Sequence, residues 1–120
     1  MKRLFPILAV LAAVAAQADE AMPSRQTLLS QEASLPTNPI VAKVIRVEFP
    51  PGYKTPSHTH EGQGPRYVVK GHLKITDAAK TQVFGPGEVF WETGAAMTVE
   101  NVGGSDAEFI IFELAPVAGK

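Results

Sequence analysis

Cysteine is absent from all 120 residues, so neither a disulfide nor a thiolate metal cluster can hold this chain together. Stability has to come from packing, from a metal held by other donors, or from a partner subunit. Charge of one sign is also lacking. Eleven Lys and Arg stand against twelve Asp and Glu, a formal −1, which gives no electrostatic reason to expect nucleic acid as a partner. The one long apolar run, Leu4 to Ala16, falls short of the roughly 20 residues that span a bilayer. No stretch between strand-like segments is long enough for a crossover helix, which argues against an α/β domain. Hydrolytic chemistry finds no support either, because no serine sits in a nucleophile elbow and Gly62 and Gly64 lack the Lys-Ser or Lys-Thr of a phosphate loop.

What is present begins with Lys2 and Arg3 ahead of that apolar run, followed by Ala16-Gln17-Ala18. This is the pattern of an export signal cut after Ala18, residues 1–18, leaving a periplasmic or secreted chain with no stable membrane insertion. An anchoring N-terminal helix is the alternative. Cleavage removes Lys2 and Arg3, moves the formal charge to −3 and leaves 102 residues, enough for one modest core.

Residues 19–38 read as a lead-in of Ser, Gln, Pro and Ala, fenced off by Pro36 and Pro39. From residue 39 to 116 the pattern is strands. Ile40 to Phe49 is β-rich, with Val47 and Phe49 on one side and Arg46 and Glu48 on the other. Pro50-Pro51-Gly52 ends it. Further strands are expected at 67–69, 72–76, 82–84, 89–91, 97–101 and 108–114, punctuated by Gly and Pro turns. Short strands at intervals of about ten residues predict an antiparallel sandwich or closed barrel. The expected inner layer is Val47, Phe49, Val69, Leu73, Ile75, Val89, Val99, Phe109 and Ile111.

Two segments then stand out. Gly52, five residues, His58-Thr59-His60 and later Gly71 form the first; Pro86-Gly87-Glu88, Gly94 and Asn101 form the second. In order and spacing they resemble the paired motifs of the cupin superfamily across about residues 40–114. The resemblance implies an all-β fold, a single cupin domain built as a double-stranded β-helix in jelly-roll barrel form, often assembled as a homodimer. Two positions depart from it: the family's glutamate falls on Gly64 and its third histidine on Met97.

Residues two apart on a strand share a side, so His58 and His60 could direct both imidazoles at one ion. Two nitrogens make a weak divalent site, and a third donor must complete it. Glu61 is the stronger donor, Gln63 lies nearer the family position, and Met97 would turn the set toward soft copper. The candidate metal residues are therefore His58, His60, Glu61, Gln63 and Met97, for Cu, Fe, Mn, Ni or Zn. The opposing reading makes the histidines a solvated or satisfied pair and Met97 a core filler. His72 and Arg66 read as surface residues, Glu88 as a turn residue and Asn101 as a tie to nearby backbone. Three functions follow: a barrel binding a metal or small ligand through His58 and His60; a metal-dependent dioxygenase or isomerase on a small organic acid or aromatic compound; and a metal-free structural or sensory module.

Overall fold

The computed structural model describes residues 2–4, 22–78 and 80–118. The expected export signal and its cleavage point fall largely outside the described residues. Seven strands follow in order: β1 Ile40–Phe49, β2 Gly64–Lys70, β3 Leu73–Asp77, β4 Thr81–Phe84, β5 Val89–Glu92, β6 Met97–Asn101 and β7 Ala107–Pro116. They begin and end close to where the Gly and Pro punctuation places them. The lead-in, residues 22–38, carries no regular element.

All pairings are antiparallel. One sheet has the order β1-β7-β2-β5 and the other β4-β3-β6, the two-layer arrangement of a double-stranded β-helix. The expected barrel closure does not occur, and the reason lies in the backbone donors. Residues 52–60 run along β6 as a would-be fourth strand, with Gly52 N bonding Asn101 O at 3.1 Å and Thr55 N bonding Val99 O at 2.9 Å. Pro50, Pro51 and Pro56 offer no N–H, so the contact stays at isolated bridges, Lys54 with Glu100 and His58 with Met97. Among the described residues no ladder joins the sheets on the other side either, where β4 and β5 meet through the turn at Gly85 to Glu88 and the Phe84–Phe90 ring contact at 5.0 Å.

Inward-facing side chains of both sheets fill the space between them. Phe49, Leu73, Ile75, Val99, Phe109 and Ile111 are buried as expected, each such side chain worth about 1.5–3 kcal/mol relative to exposure. Val47 and Val89 are half-buried. In β2 the expected parity is reversed: Val68 is fully buried and Val69 is 42% exposed. The pairing with β7 sets this, because Arg66 lies opposite Ile111 and Val68 opposite Phe109, both inward-facing, and the register shifts only beyond Val68. Phe90 is buried and Trp91 turns to the opposite face, as strand alternation requires.

Asn101 pins the corner where β6 ends. Its amide donates to Phe49 O at 3.1 Å and Ser105 O at 2.8 Å, and its Oδ1 accepts from Gly103 N at 3.0 Å. Glu88 plays the matching role in its turn, accepting from Gly85 N at 2.9 Å. His72 is exposed.

Candidate functional site

A cavity of about 210 Å³ lies between the sheets. Val47 and Phe49 from β1, Val99 from β6, and Phe109 and Ile111 from β7 give it apolar walls, with the Phe49 and Phe109 rings edge-on at 5.5 Å. Thr55, His58, His60 and Glu92 form its polar end.

The irregular segment along β6 delivers both histidines. His58 exchanges backbone hydrogen bonds with Met97 at 3.1 and 3.0 Å, and the two rings meet edge to face with centroids 5.0 Å apart. The His58 Nδ1 lies 2.9 Å from the carbonyl oxygen of Pro56. A carbonyl only accepts, so Nδ1 is the donor in this contact.

His60 is clamped between two carboxylates. Its Nε2 is 3.0 Å from Glu92 and its Nδ1 is 3.3 Å from Glu113. Both contacts are favourable only if both nitrogens carry a proton, since a lone pair would otherwise face a carboxylate. Glu92 also lies 3.3 Å from the Arg66 guanidinium, and Arg66, Glu92 and Glu113 are all buried. Burial pulls the Arg66 pKa down, opposed by the charges of Glu92 and Glu113. The guanidinium nonetheless stays charged. Its Nη1 donates to Gly64 O and Phe112 O, both at 2.9 Å. Nε and Nη2 of Arg66 and both oxygens of Glu92 have no aligned hydrogen-bond partner. The Glu92 contacts are therefore charge pairing at ion-pair distance rather than directed bonds.

The expected metal set does not assemble, and the metal-binding reading is corrected on the donors themselves. His58 and His60 come together, but both nitrogens of His60 are committed to carboxylates. Glu61 turns outward to Lys43 at 2.7 Å and is 73% exposed. Gln63 donates to Ser34 O at 2.6 Å, tying down the lead-in. Met97 is a buried neighbour of His58 on the next strand and packs into the hydrophobic core; it is not among the residues lining the cavity. At residue 64, a Cβ would overlap the carbonyl oxygen of Phe112, so glycine is required there and a glutamate has no room. Among the described residues no group of three or more His, Cys, Asp or Glu could hold a metal ion. The residues present do not fit Cu, Fe, Mn, Ni or Zn.

Sequence reasoning missed Arg66, Glu92 and Glu113. For Glu113 the signal was available, because it continues the inner face of Phe109 and Ile111. Glu92 likewise shares a face with Phe90. Arg66 carried no such signal, since its partners are distant in sequence.

The cupin domain model matches residues 45–113, more than half of the chain. Among solved structures the chain resembles a predicted oxalate decarboxylase from Thermotoga maritima, 30% identical over 59% of this chain and 64% of that one, TM-score 0.51. It also resembles an oxalate oxidase, 26% identical over 61% and 42%, TM-score 0.54. The polyketide cyclase RemF from Streptomyces resistomycificus is 25% identical over 61% and 54%, TM-score 0.52. The matched region spans less than two thirds of each of these proteins. No curated protein matches the chain. Among the described residues no helix is long and apolar enough to cross a membrane. Motif order, the double-stranded β-helix and the family match agree, and the chain belongs to the cupin domain family.

Proposed function

We propose that this domain binds a small organic ligand, without a resident metal, in the cavity between its sheets, with His58 and His60 at the polar end. One observation carries the reading: a cavity of about 210 Å³ with mostly apolar walls has Thr55, His58, His60 and Glu92 in its lining, the usual composition of a small-molecule site, and His60 contacts both His58 and Glu92. An engineered cavity of about 150 Å³ takes up benzene, so the space suits one ring or a short branched chain. Isothermal titration with ring compounds tests it, alongside Val99→Phe, which fills the space. Uptake by the wild type that Val99→Phe abolishes supports the reading; no uptake by the wild type sinks it.

Export belongs to the same proposal, supported by Lys2 and Arg3, the apolar run and Ala16-Gln17-Ala18. A ligand-binding domain outside the cytoplasm would then meet its ligand directly. N-terminal sequencing of the chain expressed with its own leader reads the cleavage point, and a product that still starts at Met1 removes export from the proposal.

A further inference from the structure

We infer that the cavity selects neutral ring compounds bearing a hydroxyl group, and rejects carboxylates of the same size. This rests on the binding role proposed above. The argument starts from the charges. Arg66 and His60 stand against the two carboxylates of Glu92 and Glu113, so the buried cluster has no excess of positive charge to offer an anion. A bound anion would add uncompensated charge in a site that screens charge poorly.

Neither cation presents a free donor to the cavity, because the unpartnered Nε and Nη2 of Arg66 lie on a residue outside its lining. Arg66 is fully buried and lies behind Glu92, outside the cavity lining. Its Nη1 is spent on two carbonyls. His60 has a carboxylate at each nitrogen.

The groups that remain are acceptors. Glu92 is 5% exposed, lines the cavity and has no aligned donor on either oxygen. In the neutral imidazole of His58 the acceptor is Nε2, because Nδ1 donates to Pro56 O. Thr55 already accepts from Val99 N at 2.9 Å and has its own O–H to donate. Two acceptors and one donor at the mouth of an apolar space call for a ligand O–H, which donates to Glu92 or His58 and accepts from Thr55. The walls from Phe49, Phe109, Val99 and Ile111 suit a ring. Glu92 has cationic neighbours in His60 and Arg66 but no aligned hydrogen bond on either oxygen, and a ligand hydroxyl supplies one where toluene does not.

Titration calorimetry with phenol, toluene and benzoate tests this on the wild-type chain. Phenol is expected to bind about tenfold or more tighter than toluene, with benzoate weakest of the three. Glu92→Gln should narrow the gap between phenol and toluene, and Val99→Phe should abolish binding of both. The wild-type comparison stands alone should Glu92→Gln fail to fold. Toluene matching phenol, or benzoate exceeding it, overturns the hydroxyl selection while leaving ligand binding intact. No uptake of any of the three overturns both.

Discussion

The Nε2 of His60 and the carboxylate of Glu92 face each other at 3.0 Å with almost no solvent between them, and the same carboxylate lies 3.3 Å from Arg66. One glutamate therefore faces two basic side chains at once, from the far end of a different strand, and Glu113 shares the compensation. Removing it should be far more damaging than its lack of aligned hydrogen bonds suggests. Glu92→Gln is expected to cost about 3–5 kcal/mol, because it leaves a buried guanidinium under-compensated. Urea unfolding measures this, and a loss under about 1 kcal/mol would show that the cluster is hydrated rather than dry.

Lys43 and Glu61 form the contrasting case at the surface. Their hydrogen bond and mutual charge raise the lysine pKa and lower the glutamate pKa. A depressed carboxylate pKa stabilises the fold above the usual value of 4.5 and loses that contribution as the pH falls through the folded value. A raised lysine pKa stabilises below 10.5 and loses it as the pH climbs through the folded value. Urea midpoints of the wild type and Glu61→Gln should thus differ slightly between those limits and converge outside them. High salt should erase the difference.

Asn101 makes three hydrogen bonds to backbone while 1% exposed. Asn101→Ala strands two carbonyls and one N–H, for about 2–4 kcal/mol. Asn101→Asp should be equally harmful, since a carboxylate cannot donate to Phe49 O or Ser105 O. A thermal melt of the aspartate variant that matches the wild type would show that the amide's donor side is dispensable.

Gln63 was expected near a metal, yet its amide reaches Ser34 in the lead-in. Gln63→Ala should leave global stability within about 0.5 kcal/mol, as for other exposed positions. Limited proteolysis reads the difference: cleavage within residues 22–38 should accelerate while the strands stay protected. Unchanged cutting would mean that the Gln63–Ser34 bond does not hold the lead-in.

The strands were legible because Gly and Pro mark their ends and because β3 and the second half of β1 alternate cleanly. Barrel closure was not, since it depends on where Pro56 falls against β6, a partner 40 residues away. The inward turn of β2 escaped for a related reason. Arg66 looks like a surface residue until Phe112 O and Glu92 are known to surround it. The histidine pair was found from its spacing, but its meaning was decided by Glu92 and Glu113, which lie on strands that the pair's own neighbourhood does not contain.

Gly64 gives the chain an evolutionary asymmetry. Losing a glutamate from a family site takes one codon change, but regaining it here would first require β7 to retreat, because the Phe112 carbonyl fills the volume that any side chain at residue 64 would need. Arg66 deepens the trap by bonding both carbonyls across that contact. While β7 keeps its present place residue 64 admits only glycine, so a side-chain donor at that position would have to arrive together with a displaced strand.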